Sequence, residues 1–343
     1  MIEWDSRVLA PGDLCPALQI GEQLDFKRLV DRLFAQQVES WPDLRAGVGA
    51  LQQVEYRRLS VAGAPVLLQH NPRRIVSTGA QVDSASIMRR PCFLCPGQMP
   101  EEEKGLAFGT QFVVVCNPYP VLNKHLVLVS REHRLQLLDG NVTHLLNFAE
   151  ALGPDFVVLY NGPSSGASAP DHLHLQAGEA QMIPVLRDVE VWEKFMIPSP
   201  AGIETFALTD YRVNAIILRG GDRLQLENGI QRILHVLGDI VITKLLEPMI
   251  NLLVTKLSEV WQVVIFPRER HRPACFYSTG DDRLTVSPAA IDMGGLIVVP
   301  EGRDFERMDA EIVERIYAEV TLADEKFERL IEVLGRIVLK DAT

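Results

Sequence analysis

Asn161-Gly-Pro-Ser-Ser-Gly-Ala-Ser-Ala-Pro-Asp-His-Leu-His-Leu-Gln-Ala-Gly178 is the stretch on which the reading of this chain turns, and its core is His172-x-His174-x-Gln176. A strand sends residues i, i+2 and i+4 to one face, so His172, His174 and Gln176 align while Leu173 and Leu175 point into a core. On a helix, successive members of the trio would stand about 200° apart and form no common site. The segment therefore reads as a strand that carries chemistry. Neutral imidazole, with an unperturbed pKa of about 6.5, can attack phosphorus and divide one difficult displacement into two through a phospho- or nucleotidyl-histidine. The preceding loop, Gly162 to Ser168, brings small residues, hydroxyls and approachable backbone N–H groups suited to cradling an anion.

Outward from this stretch, short alternating runs at Val66–His70, Gln111–Cys116, His125–Ser130 and Phe156–Tyr160 read as one antiparallel sheet, with a helix around Val142–Leu152. Residues 23–53 carry a helical pattern, with Leu24, Phe26, Leu29, Val30, Leu33 and Phe34 on one face. The Pro-rich stretch within 180–205 resembles a connector. Beyond it, strands are expected at Val213–Arg219, Asn251–Lys256, Trp261–Phe266 and Leu296–Pro300, with helices near 222–237 and 309–340. The fold class expected is α+β, an antiparallel sheet with helices, divided into residues 1–180 and 181–343. A faint echo between the halves suggests duplication: Gln111–Pro120 against Val260–Arg268, and His125–His133 against Leu296–Arg303. Only His235 and His271 lie in the second half, so a second copy would have lost its chemistry.

A formal charge of −11 over 343 residues argues against an open nucleic-acid surface and for a small partner. Met1 to Asp5 lacks the basic and apolar segments of a signal peptide. The greasiest stretch, Ile233 to Leu253, is interrupted by His235, Asp239, Lys244 and Glu247, which argues against a simple spanning helix. A cytoplasmic protein is expected. Five cysteines make no even disulfide framework, and the close pair Cys92-Phe-Leu-Cys95 points to metal or redox work. A tetrahedral zinc needs two further ligands beyond that pair. Cys15, Cys116 and Cys275 read as buried inert thiols.

His-x-His-x-Gln after an Asn…Gly-x-Ser loop resembles the nucleotidyltransferase branch of the histidine triad (HIT-like) superfamily, which includes the galactose-1-phosphate uridylyltransferases and the diadenosine tetraphosphate phosphorylases. His70-Asn-Pro-Arg73 followed by Cys92-Phe-Leu-Cys-Pro-Gly97 is similar to the uridylyltransferase opening. Asn117-Pro-Tyr-Pro120 followed by Ser130-Arg-Glu-His133 is similar to both families. The likeness spans roughly residues 66–178, with a weaker one over Asn251–Arg303 to the degenerate second half of these duplicated enzymes.

The resemblance implies His174 as nucleophile, His172 as the residue orienting it through its backbone carbonyl, and Gln176 as hydrogen-bond partner of the phosphoryl oxygens. It places Asn117 near the nucleoside, and Asn161, Ser165, Gly166 and Ser168 along the phosphate loop, which is one residue longer than the uridylyltransferase pattern between Ser168 and His172. It also offers His133 and His172 as the zinc ligands completing Cys92 and Cys95, in a closed structural site; a reduced, unmetallated thiol pair is the alternative. The implied activity is a double displacement on a nucleotide with phosphate or a phosphorylated acceptor, of the ATP adenylyltransferase (dinucleoside polyphosphate phosphorylase) type. A hexose-1-phosphate uridylyltransferase or a GDP-hexose phosphorylase is the near alternative. A nucleotide hydrolase and a non-catalytic sensor are the distant ones, and either a monomer or a homodimer fits. Two further clusters stay open at this level. His125 is either a site residue or a satisfied core histidine, and Arg268-Glu-Arg-His-Arg272 is either a phosphate clamp or a solvated turn.

Overall fold

The computed structural model describes residues 4–15, 25–80, 82–241 and 245–341. Its strands, in chain order, are β1 (Glu55–Val61), β2 (Ala64–His70), β3 (Gly105–Phe108), β4 (Phe112–Cys116), β5 (Leu126–Ser130), β6 (Phe156–Asn161), β7 (His174–Glu179), β8 (Lys194–Ile197), β9 (Ile203–Leu208), β10 (Ile216–Gly220), β11 (Ile250–Leu257), β12 (Val260–Pro267) and β13 (Leu296–Val299). Ten of them form one sheet in the order β3-β4-β5-β7-β6-β11-β12-β10-β9-β8. Every pairing in it is antiparallel.

That order demonstrates the duplication. Numbered within its own half, each set of five strands runs first-second-third-fifth-fourth from an outer edge inward, and the two fourth strands, β6 and β11, pair at the centre. In each half a helix, Val142–Leu152 or Arg223–Ile240, joins the third strand to the fourth. The expected boundary at residue 180 falls between β7 and β8, although one hydrogen-bonded sheet joins the two units. The sequence echo, however, matched the wrong strands. By position in the topology the counterpart of β4 is β9 and that of β12 is β7, while β13 leaves this sheet to pair parallel with β2. Alternating β-branched runs resemble one another whatever their place in a sheet.

Both faces of the large sheet are covered, so its inner strands are largely buried: all of Phe112–Cys116 and of Leu126–Ser130 is buried. Val114, Leu126, Leu128, Leu173, Leu175 and Ala177 face one core, shared with helices Phe26–Ser40, Val142–Leu152 and Arg223–Ile240. On the opposite face, the second half packs beneath β1, β2, β13 and helix Ala310–Val320, while Val113, Val115, Val127 and Val129 meet Cys92, Leu94 and Met99.

The elements differ from expectation in four places. The helical stretch 23–53 is two helices, Phe26–Ser40 and Pro42–Leu51, because the residue before a proline is pushed to extended backbone and Trp41 adopts it (φ −110°, ψ 106°). Gln23 and Leu24 lie outside the described residues. The run at 309–340 breaks likewise into Ala310–Val320 and Asp324–Asp341 at the extended Thr321. Val66–His70 belongs to the separate three-stranded sheet β1-β2-β13. The 180–205 connector contains helix Val185–Val191 and the edge strand β8, with Pro198–Gly202 as the turn into β9. Among the described residues no helix is long and apolar enough to cross a membrane.

Candidate active site

The strand β7 begins at His174, with His172 in the bend just before it. Leu173 and Leu175 enter the helix-side core, which leaves His174 and Gln176 on the opposite face. Gly178 continues that face, where an added Cβ would lie 2.6 Å from Leu122 Cβ. The period-two reading holds from His174 onward, whereas His172, expected on the strand, lies in the bend before it.

His174 is 4% exposed, and its Nδ1 lies 2.8 Å from the carbonyl oxygen of His172. A carbonyl only accepts, so the proton sits on Nδ1 and the lone pair on Nε2. Burial, opposed by that hydrogen bond, lowers the pKa to about 4. The backbone of His174 is held as firmly. Its N–H donates to Gln136 Oε1 (2.8 Å), and Gln136 Nε2 donates both to the carbonyl of His174 (3.0 Å) and to that of Asn161 (2.9 Å). The β6–β7 register ends at Leu159 opposite Gln176, and beyond it the Gln136 amide supplies the bonds a ladder would have made.

Gln176 is oriented by His125. The N–H of Val121 donates to His125 Nδ1 (3.1 Å), so Nε2 carries the proton and donates to Gln176 Oε1 (2.9 Å). The amide N–H groups of Gln176 are thereby left to face outward. His125 is 1% exposed and burial takes its pKa down to about 3, so it remains a neutral donor at any ordinary pH.

The loop before β7 is anchored to the second half of the chain. Asn161 Oδ1 accepts from Asn251 Nδ2 (2.9 Å) and from the N–H of Ala290 (2.8 Å). Ser165 is wholly buried, its hydroxyl donating to the Ile250 carbonyl (2.7 Å) and accepting from the Ile250 N–H (3.2 Å). The acceptor of Asn161 and the hydroxyl of Ser165 are thus committed within the protein, which leaves the half-buried Ser164 and Ser168 hydroxyls and backbone groups of the loop to offer an anion. Gly166 has φ +105°, and a Cβ there would stand 2.7 Å from Ala289 Cβ, so this turn requires glycine on both counts. Ser168 receives Arg90 Nη2 on its carbonyl (3.2 Å). Asn117, in the loop after β4, uses Oδ1 to accept from the Tyr119 N–H (2.9 Å).

Arg268, from the cluster left open by the sequence, is neither phosphate clamp nor solvated turn. It is 1% exposed. Nε donates to the Val320 carbonyl, Nη1 to Asn251 Oδ1 and the Pro288 carbonyl, and Nη2 to the carbonyls of Arg270 and His271. All five N–H groups are used, and Asn251 passes the restraint to Asn161 and Ser165. Glu247, 4% exposed, adds a second tie by accepting from Tyr160 Oη and from the Leu138 N–H, each at 2.6 Å. Burial raises its pKa to about 7.

Four of the expected residues meet beside the site. Cys92, Cys95, His133 and His172 bring one ligand atom each to within 4.8 Å of all the others. His172 Nδ1 is 3.3 Å from Cys92 Sγ and 3.6 Å from Cys95 Sγ, and His133 Nδ1 is 3.3 Å from Cys95 Sγ. Zinc–ligand bonds of about 2.0–2.3 Å imply tetrahedral edges of about 3.5 Å, so this donor set could hold such an ion. His172 Nε2 donates to the Ser130 carbonyl (2.8 Å), which keeps the Nδ1 lone pair turned to the sulfurs. Residues 92–95 make a tight turn, with the Cys95 N–H on the Cys92 carbonyl.

Residues 33–179 match the family model for a domain of unknown function, DUF4922, and residues 188–340 match the GDPGP1-like, C-terminal domain. The structure of yeast Ap4A phosphorylase Apa2 is similar at 16% identity and a TM-score of 0.57, over 88% of this chain and 95% of that one. The fold is histidine-triad-like. The same yeast enzyme in complex with Ap4A is similar at 18% identity and a TM-score of 0.53, over 82% of this chain and 96% of that one. A GalT-like protein from Arabidopsis thaliana is a more remote likeness, 15% identical with a TM-score of 0.38, over 77% and 99% of the two chains. No curated protein matches. Gln136, Asn251 and Glu247 escaped sequence reading as site residues, since each is a single polar residue at no motif spacing whose role arises from a partner far along the chain, and Arg268 was visible only as part of a basic cluster.

Proposed function

We propose that this protein is a nucleotidyltransferase working by double displacement through a covalent nucleotidyl-histidine on His174. The observation that carries the reading is the pairing of tautomers. The His172 carbonyl leaves the His174 Nε2 lone pair free, and His125 leaves the Gln176 N–H groups free on the same face two residues on. This pairing supports a nucleophile and a neutral donor acting together on a phosphoryl group. Nε2 attacks the α-phosphorus of a nucleotide, the distal phosphate departs, and Gln176 hydrogen-bonds the phosphoryl oxygens of the intermediate. Phosphate or a phosphorylated acceptor then takes the nucleotidyl group. A neutral amide in place of a third histidine suits transfer to an acceptor other than water.

Within that class the reading is a dinucleoside polyphosphate phosphorylase, supported by an architecture shared along nearly the whole chain with an enzyme solved with AMP and with Ap4A. Cys92, Cys95, His133 and His172 would hold a zinc ion, whose contribution is structural, fixing the bend from which β7 starts.

The test is incubation with α-labelled nucleoside triphosphates, dinucleoside polyphosphates and nucleotide sugars, with and without phosphate. An acid-labile adduct on the wild type that is absent from His174→Ala, and discharged by phosphate, is the expected result. A His174→Ala protein that turns over the nucleotide at the wild-type rate overturns the mechanism. Turnover independent of phosphate or any phosphorylated acceptor would mark a hydrolase.

A further inference from the structure

The two histidines of the Cys92, Cys95, His133, His172 set are held in different ways. His172, wholly buried, has Nδ1 turned to the sulfurs and its other nitrogen fixed on the Ser130 carbonyl at 2.8 Å. His133 also offers Nδ1, 3.3 Å from Cys95 Sγ, but its side chain is 48% exposed, so packing alone does not set the orientation of its ring. Once Nδ1 is given to an ion, Nε2 must carry the proton. That nitrogen faces a carboxylate: Asp171 Oδ2 lies 3.8 Å away, at ion-pair distance.

Asp171 immediately precedes His172, in the stretch after Ser168 that is one residue longer than the uridylyltransferase pattern. Its side chain is largely buried, and Arg90 braces it. Arg90 Nη2 donates to Asp171 Oδ1 (3.0 Å) and to the Ser168 carbonyl (3.2 Å), and the guanidinium carbon lies 5.2 Å from the ring centre of Phe93, inside the Cys92–Cys95 turn. One oxygen of the carboxylate is thus tied to the cysteine turn and the phosphate loop, while the other is turned to His133. The ion pair with Arg90 also offsets the charge of Asp171. Two thiolates already balance a divalent ion, and an unpaired negative charge beside them would oppose the thiolate form, whereas a paired carboxylate supplies an acceptor without that penalty.

We propose that Asp171, braced by Arg90, is a positioning residue of the metal site that receives the Nε2 proton side of His133 and so keeps Nδ1 directed at the ion, an inference that rests on the zinc reading above. An imidazole whose second N–H is held by an acceptor is fixed in tautomer and in ring orientation, and loss of that partner lowers metal affinity about 10- to 100-fold. Asp171 thereby does for the exposed histidine what the Ser130 carbonyl does for the buried one. Because the next residue is His172, the same side chain ties both histidine ligands to the bend from which β7 starts.

The experiment is competition for zinc between a chromophoric chelator and the full chain, Asp171→Ala or Asp171→Asn, each also made in a His133→Cys background. Cysteine can ligate zinc in place of His133 but has no second nitrogen for Asp171 to hold. Asp171→Ala is expected to weaken zinc binding about tenfold or more with His133 present, and about twofold or less with His133→Cys. Asp171→Asn, of the same shape but with one acceptor oxygen for two donors, should lose less than the alanine variant. Wild-type zinc affinity in Asp171→Ala, or in Asp171→Asn where the alanine variant does not fold, overturns the role. An equal loss in both backgrounds overturns it too, since a brace on the loop alone would act whichever ligand stands at 133. A wild-type chain that takes up no zinc overturns the zinc reading itself and this role with it, whereas zinc uptake unaffected by Asp171 leaves the zinc reading standing.

Discussion

Replacing Gln136 by methionine should damage the site from a position that touches no substrate. The side chain is wholly buried and makes three hydrogen bonds, one from the His174 N–H and two to the carbonyls of His174 and Asn161. Methionine has nearly the same length and volume, so packing is spared and the three backbone groups lose their partners in a dry environment. Each net bond is worth about 1 kcal/mol, and a stranded buried group costs about 1–3 kcal/mol, so the loss should be about 3 kcal/mol or more. The rate should suffer separately. His174 is positioned through its backbone N–H and C=O, and a displacement of about 1 Å at a reacting group can cost about a hundredfold. Denaturant unfolding reads the first effect, and single-turnover formation of the labelled adduct reads the second, with a fall in rate at little change in nucleotide affinity. A variant within about 0.5 kcal/mol of wild type, labelling at an unchanged rate, would refute the positioning role.

Two other outcomes follow from the geometry. Cys92→Ser should purify with its zinc content reduced to a small fraction and should unfold more readily, because one thiolate of the closed set is gone; metal analysis beside a melting curve checks this, and unchanged zinc and stability would remove the ion from the account. His125 has a folded pKa near 3 against an unfolded value of about 6.5, so the unfolded chain binds the extra proton first and stability falls as pH drops from 6.5 towards 3. Removing that titration in His125→Gln should flatten the stability slope between pH 6 and 4 by about 1.4 kcal/mol per pH unit, measured as unfolding free energy; an identical slope in both proteins would mean that His125 is not buried neutral.

Much of the first half was legible because its signals are local. Alternation along His172–Gly178 set which side chains share a face, and burial of Leu173 and Leu175 agrees. Helix Val142–Leu152 follows from its apolar period and the Gly153 that ends it. The metal-ligand group rests on a short cysteine spacing together with a resemblance, and the four residues do converge. The second half was harder. β8 and β9 lie in a stretch whose prolines look like a linker, and only their pairing with β10 makes them strands. The basic cluster was misread as a unit, since adjacent residues of a turn point into different environments: Arg268 is buried and saturated while Arg270 is exposed.

The sequence by itself determined the chemical vocabulary, namely His174 and Gln176 on one strand face with His172 just before them, a small-residue loop ahead of that, and thiols at metal spacing. Those features need only the periodicity of a strand and the donor properties of side chains, both fixed within a few residues. Tertiary structure decided how the vocabulary is used. The proton on His174 Nδ1, the outward N–H groups of Gln176, the commitment of Ser165 to Ile250 and the restraint passed from Arg268 through Asn251 all depend on partners brought together by folding. A hydrogen bond acts over about 3 Å, and the chain distance it spans leaves no trace in the residues between.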